Sequence, residues 1–177
     1  SSTSTSSTSS STSATFTIML KAVIVECYPY FVESVQYGLI TITAGTSNTA
    51  TITSVDTTRS AVIYLGETTT AGGANSNTYV TRFTLTDATT VTAQLRSAGT
   101  VSAAFCVVQF HAAAIASRQA VAASFTANVN LVETSTITAV DTSRALIFYG
   151  GQGILDISAG NMSTIQLTDA TTLTYTR

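Results

Sequence analysis

The stretch TITSVDTTRSAVIYLG, from Thr51 to Gly66, recurs as TITAVDTSRALIFYGG from Thr136 to Gly151. A second stretch, LTDATTVT from Leu85 to Thr92, recurs in the same order as LTDATTLT from Leu167 to Thr174, after a shorter intervening segment. Self-similarity at a nearly constant spacing is the mark of a repeated structural unit. The chain is therefore predicted to be an internal duplication of one unit.

A fainter echo extends the repeat backwards, because Val23–Gln36 lines up with Cys106–Gln119. We therefore expect two β-domains, covering residues 15–96 and 97–177. Residues 1–14 form a Ser/Thr-rich tract that has too little apolar surface to offset the entropy of its own ordering. This tract is expected to be a linker or a strand donated to a neighbouring subunit.

Alternation of apolar and hydroxyl residues marks the first strands of the unit. Ile40–Thr43 and Thr49–Val55 alternate with the period of two that is typical of half-buried strands. Gly45–Asn48, between them, has the composition of a turn. Ser60–Leu65 is a denser apolar strand that ends at a glycine.

The remaining signals are also those of short strands. Phe83–Thr86 and Thr90–Leu95 flank Asp-Ala-Thr and predict a hairpin, and Val101–Phe110 predicts a long apolar strand. Residues 111–123 are Ala-rich and fit either one or two helical turns or a loop. The pattern predicts an all-β protein with two tandem β-sandwich-like domains or small barrels.

Composition excludes several classes of partner. Charged residues make up 9% of the chain, while 36 Thr and 22 Ser supply neutral polar surface, as in secreted and assembled β-proteins. The net charge of −2 and the scattered basic residues predict that nucleic acid is not bound. No apolar run is long enough to span a bilayer, so no membrane partner is expected either. We expect the protein to be located in a virion or outside the cell.

The most distinctive charged features are the pairs Asp56/Arg59 and Asp141/Arg144, which occupy the same place in both copies. They could bind a polar ligand or a cation. The favoured interpretation is a structural turn, in which Asp accepts hydrogen bonds from backbone amides just ahead and Arg folds back onto it. Asp87 in the first LTDATT stretch and its counterpart in the second are interpreted in the same way.

Residues for catalysis are scarce. The chain has one histidine, His111, so a histidine cluster for metal is excluded and a catalytic triad would depend on that residue alone. We expect no catalytic residue, no metal and no cofactor, and hence no enzyme. The two cysteines, Cys27 and Cys106, could be bridged but are interpreted as small buried residues on strands. The aromatic cluster of Tyr28, Tyr30 and Phe31 is expected to pack beneath a loop or against another subunit.

Together, VQ-x-G (Val35–Gly38), TITxVDTxR, LTDATT and VVQF (Val107–Phe110) resemble Thr-rich β-modules in the structural proteins of tailed bacteriophages. The resemblance implies a repeated β-sandwich subunit of the capsid-decoration, head-fibre or tail-fibre type. It also implies a homo-oligomer that binds other structural subunits. Two alternatives remain: a bacterial surface filament or adhesin subunit that polymerises by strand donation, and a carbohydrate-binding module with a glycan as partner.

Overall fold

The computed structural model describes residues 22, 24–69, 80–125, 131–152 and 163–177. Within these residues the chain forms seven β-strands and no helix, so the all-β class is confirmed. The strands are β1 (Val32–Thr51), β2 (Ser60–Thr69), β3 (Arg82–Asp87), β4 (Thr90–Phe110), β5 (Val132–Thr136), β6 (Thr164–Asp169) and β7 (Thr172–Thr176). The strands build two antiparallel sheets.

The larger sheet is organised around β4, the longest strand. β1 runs along one side of β4, while β3 and β2 share the other side, and all of these pairs are antiparallel. The first half of β4 pairs with β3 through a tight hairpin, and the second half, Val101–Phe110, lies between β1 and β2. The second half of β4 is therefore a central strand with a neighbour on each edge.

Alternating side chains of these strands form the core. Because successive residues of a strand point to opposite faces, the odd-numbered residues of β4 turn inward together with the even-numbered residues of β1. Phe105 is buried and lies against Gly38, where an added Cβ would be 2.3 Å from the Phe105 ring. The other buried core residues are Ile40, Ile42, Val55, Phe83, Val91, Ala93, Leu95, Val101, Ala103 and Val107.

The smaller sheet has the order β5-β7-β6. In the sequence repeat, β5 corresponds to the end of β1, β7 to the start of β4, and β6 to β3. The three counterparts pair in the same order in the larger sheet. Tyr175 on β7 is buried. The β-sandwich-like architecture is thus supported, while the division into domains of residues 15–96 and 97–177 stays a prediction. The boundary between them falls inside β4.

The turn prediction for Gly45–Asn48 was wrong. Gly45–Asn48 does not end a strand but belongs to β1, with register shifts on both sides of Gly45. Ala44 absorbs the irregularity with a φ of 49°, and its amide donates to Thr100 Oγ1 at 3.1 Å. On the neighbouring strand, β4 runs without a break through Ala98 and Gly99. The neighbouring strand offers backbone partners on both sides of these positions, so the irregularity becomes a bulge instead of a chain reversal.

Predictions were also made for residues 111–123, for the two cysteines and for residues 1–14. Residues 111–123 contain a turn at Ala112–Ala114 and no helix. Both cysteines are free; Cys106 is buried on β4 as expected, but Cys27 is exposed and outside any strand, so that part was wrong. Residues 1–14, the predicted linker or donated strand, lie outside the described residues. The described part of the chain contains no helix that could cross a membrane.

Candidate functional site

The first Asp-Arg turn lies between β1 and β2. Asp56 Oδ1 accepts hydrogen bonds from the Thr58 amide at 2.9 Å and from the Thr58 hydroxyl at 2.6 Å. Arg59 Nε donates to Asp56 Oδ2 at 3.0 Å, and the Arg59 amide donates to the Asp56 carbonyl at 3.2 Å. The carboxylate thus holds a closed turn of four residues, the arrangement that short polar side chains favour between strands.

Arg59 has two further partners that come from distant parts of the chain. Its Nη1 donates to the Phe110 carbonyl at 2.6 Å and pairs with the carboxylate of Glu33. The Phe110 amide in turn donates to the Arg59 carbonyl at 3.0 Å. The end of β4 therefore covers this turn, and only 20% of the Arg59 side chain is exposed.

These contacts shift the pKa values of the charged side chains in and around the turn. Hydrogen bonds from the Thr58 hydroxyl and amide, together with the Arg59 guanidinium, lower the pKa of Asp56 to about 2. The guanidinium also lowers the pKa of Glu33, with a smaller contribution from Gln109. The two carboxylates in turn raise the pKa of Arg59. All three groups are therefore charged at neutral pH and are held as an ionic cluster.

The second Asp-Arg turn repeats the local geometry. Asp141 Oδ1 accepts from the Ser143 amide at 3.0 Å and from the Ser143 hydroxyl at 2.6 Å, and Arg144 Nε donates to Asp141 Oδ2 at 2.9 Å. Hydrogen bonds from Ser143 and Arg144 lower the pKa of Asp141. The Arg144 side chain, however, is 82% exposed. No strand among the described residues covers this turn.

The LTDATT hairpins are also duplicated. Asp87 Oδ1 accepts from the Thr89 amide at 2.7 Å, and Asp169 Oδ1 accepts from the Thr171 amide at 2.7 Å. These amide hydrogen bonds are the main cause of the lowered pKa of each Asp. In both copies the carboxylate is used by its own hairpin.

Near each Asp-Arg turn, a glutamine side chain binds the backbone three residues before the aspartate. Gln36 donates to the Thr53 carbonyl at 2.9 Å and accepts from the Thr53 amide at 2.7 Å. Gln119 forms the same two bonds with Thr138, at 2.9 and 2.7 Å. The two glutamines are counterparts in the repeat, so the segment that contains Gln119 occupies the place that β1 has in the first copy.

An apolar surface on the larger sheet was missed by the sequence analysis. On β1, Val35, Tyr37 and Leu39 point away from the core and are exposed, and Leu65 on β2 is exposed too. We call these four residues the outer patch. Between them lie Ala61, Ile63, Ala104, Cys106 and Val108. The strand alternation in VQYGLI contains this signal, but only the register shows that the apolar residues of three strands join.

The aromatic cluster separates into two parts. Phe31 packs edge-on against Phe110, with ring centroids 5.8 Å apart, and so belongs to the covered end of β4. Tyr28 and Tyr30 stack nearly parallel at 5.5 Å and are 71% and 70% exposed. The two tyrosines therefore present an aromatic surface to solvent.

The last features of the site are its acidic groups and the depressions beside them. No group of three or more His, Cys, Asp or Glu side chains among them could hold a metal ion. The open depressions beside Glu33 and Arg59 are lined by residues of the ionic cluster and by hydroxyl, amide and aliphatic side chains. That the protein is not an enzyme and binds no metal or cofactor therefore remains a prediction.

Comparison with protein-family models, with curated proteins and with solved structures finds no match for this chain. The resemblance to bacteriophage modules is therefore an expectation from the motifs alone.

Proposed function

We propose that this protein is a non-enzymatic structural subunit of an extracellular assembly, of the capsid-decoration or fibre type in a phage virion. It docks on copies of itself and on other structural subunits. The observation that carries the proposal is the outer patch, a sheet face of apolar side chains with no charged residue among them.

Exposure at the outer patch is high for side chains of this type. Tyr37 is 75% exposed, Leu39 63% and Val35 44%, in one row along β1. Contiguous apolar side chains that are exposed on a soluble protein mark surfaces for interaction with another molecule. A subunit that is buried on this face in its assembly avoids that exposure.

Charge supports a structural role over nucleic-acid binding. Arg59 and Arg144 are both held by aspartates of their own turns. The net charge is negative, and charged groups make up 9% of the chain. A charge-poor surface rich in Ser and Thr suits dense packing of identical subunits, because adjacent copies repel each other little.

Light scattering after size exclusion tests the proposal. The wild-type protein should form an oligomer, and Leu39→Lys should reduce its mass because a charge is placed in the buried face. Thr84→Lys on β3 is the control, since Thr84 is exposed and outside the outer patch. A wild-type protein that stays monomeric at high concentration would contradict the proposal, as would equal losses in the two variants.

Glycan binding is a second candidate function, and the exposed stack of Tyr28 and Tyr30 favours it. Aromatic rings offer large rigid surfaces with a polar tip, which suits a partly apolar sugar face. A glycan array with wild type and Tyr28→Ala tests it. Binding that is competed by free sugar and lost in the variant would support this function, and an array without signal would exclude it.

A further inference from the structure

The second repeat copy has no central strand among the described residues. In the first copy, Val101–Phe110 lies between β1 and β2. In the alignment of the two copies, the counterparts of those neighbours are residues 115–125 and 145–151. Apart from a single bridge at Gly151, neither segment is paired as a strand. We call the strand position that the repeat alignment places between these two segments the acceptor slot.

Side chains beside the acceptor slot are more exposed than their counterparts. Leu146 is 72% exposed and Ile147 45%, whereas Ala61 and Val62 in β2 are only partly exposed. Arg144 is 82% exposed, against 20% for Arg59. A strand that lay in the slot would cover all three of these side chains.

The slot-facing backbone groups of residues 145–148 form no hydrogen bond among the described residues, whereas the Gly150 carbonyl accepts from the Phe83 amide at 2.7 Å. The Arg59 carbonyl, immediately before β2, faces β4 and accepts from the Phe110 amide, while the Tyr64 amide in β2 faces the opposite edge and donates to the Tyr149 carbonyl at 2.9 Å. Tyr149 is the counterpart of Tyr64. Because alternate residues of a strand use opposite edges, Tyr149 is bonded through the edge that faces away from the slot.

One segment of the chain matches the strand that the slot lacks. The alignment that places Val23–Gln36 on Cys106–Gln119 also makes Ile18–Cys27 the counterpart of Val101–Phe110. Its described residues Ile24 and Val25 are outside any strand and are 95% and 74% exposed. Within one chain, therefore, these residues do not occupy the slot, although their counterparts on β4 lie in the centre of a sheet.

We propose that Ile18–Cys27 of one molecule inserts as an antiparallel strand into the acceptor slot of a second copy. This inference rests on the proposed function and deepens it, because it names the partner and the contact. Each molecule has one such strand and one slot, so the subunits join head to tail. Main-chain hydrogen bonds supply affinity in strand addition, and alternate side chains supply specificity.

Side-chain sizes across the slot are complementary. In the first copy Gly38 opposes Phe105, and Ile40 opposes Ala103. In the repeat alignment, the first pair becomes Val121 with Ala22, and the second becomes Ala123 with Leu20. In each pair, the larger residue of the second copy lies on the strand that carries the smaller residue in the first copy. The sum of the two sizes is roughly kept, as close packing across a strand pair requires.

The proposed strand also completes the exposed turn. In the first copy the Phe110 carbonyl accepts from Arg59, and the Gln109 side chain accepts from the Asp56 amide at 3.0 Å. The counterparts of Phe110 and Gln109 are Cys27 and Glu26. The Cys27 carbonyl would then accept from Arg144, and the Glu26 carboxylate from the Asp141 amide.

A native cysteine allows a direct test of the register. Val32 and Phe110 are Cα partners in the larger sheet, and their counterparts are Ile115 and Cys27. Antiparallel partners have Cα atoms about 4.5–5.5 Å apart, within the range of about 4.4–6.8 Å that a disulfide spans. Mild oxidation of Ile115→Cys should therefore give a ladder of covalent multimers on non-reducing gels.

Two controls make this test specific. Cys27→Ser in the same chain should abolish the ladder, and Thr84→Cys, which adds an exposed thiol on β3, should give none. Free thiols, a disulfide within the monomer, or an equal ladder from Thr84→Cys would each overturn strand exchange. If the wild type is an oligomer by light scattering but no bond forms between residues 27 and 115, only strand exchange fails; a monomeric wild type defeats the proposed function too.

Neighbouring residues of the proposed strand provide a second test that does not depend on cysteine chemistry. Ile24 is the counterpart of Val107, which is fully buried, and Val25 of Val108, which is partly exposed. Ile24→Asp should weaken self-association more than about tenfold, because it buries a carboxylate, and Val25→Asp should weaken it less. Circular dichroism should show the wild-type sheet content in both variants. Equal effects, or none, in light scattering would overturn the proposed orientation.

Discussion

The two Asp-Arg turns have the same local hydrogen bonds but different surroundings. In each, the aspartate accepts from the amide and hydroxyl two residues ahead, and the arginine Nε lies 2.9–3.0 Å from the second carboxylate oxygen. Among the described residues, a further strand covers Arg59 but not Arg144. The turn is thus fixed by its own four residues, while its burial depends on residues that are distant in the sequence.

This difference shows what a strand contributes to a turn that is already formed. Arg59 binds the Phe110 carbonyl and the Glu33 carboxylate in addition to Asp56. The position of Glu33 is taken by Ala116 in the second copy. The second turn therefore has one ionic partner fewer by sequence, and one backbone partner fewer because no described strand lies across it.

The largest expected effect comes from placing a charge in the strand that covers the first turn. Val107→Asp should destabilise the protein by about 4 kcal/mol or more, because an unpaired carboxylate would be buried in the core. The matched change at its repeat counterpart, Ile24→Asp, should leave the dilute protein folded, since Ile24 is 95% exposed. Urea unfolding at low protein concentration compares the two. Similar losses would mean that residues 24 and 107 have similar surroundings.

A smaller effect is expected from truncating the arginines. Arg59→Ala should lower the melting temperature by several degrees, because it leaves the Phe110 carbonyl and the Glu33 carboxylate without this partner. Arg144→Ala should change the melting temperature little in dilute protein, since both Arg144 and its ion-pair partner Asp141 are exposed. Calorimetry of both variants measures the difference. If Arg144→Ala proved the more harmful, the described burial of the two turns would be wrong.

The local features of the fold could be predicted from the sequence. Alternation identifies β2, β3 and the start of β4, and the Asp-Arg spacing predicts a turn with the hydrogen bonds that Asp56 makes. These features depend on residues within one strand or turn. Their signals are therefore present in the local sequence.

Features that depend on pairing could not be predicted. The bulge at Gly45 arises because β4 continues alongside it, and Glu33 meets Arg59 only through the register of β1 with β4. The outer patch likewise requires three strands to be placed side by side. Each of these features joins residues from separate strands, which the alternation within one strand does not specify.

The smallest expected effect is a difference in acid sensitivity between the turns. The folded-state pKa of Asp56 is about 2, below its ordinary value of 3.8. Its contribution to stability is therefore complete above about pH 4 and is lost as the pH falls from about 4 toward 2, where the folded state takes up the proton. Asp56→Asn should remove that part of the pH dependence of the unfolding free energy. Asp141→Asn should change it in the same direction but less, because the second turn lacks the covering strand. Urea titrations between pH 5 and 2 measure both slopes, and equal slopes would show that the strand across the first turn adds nothing to its charge pairing.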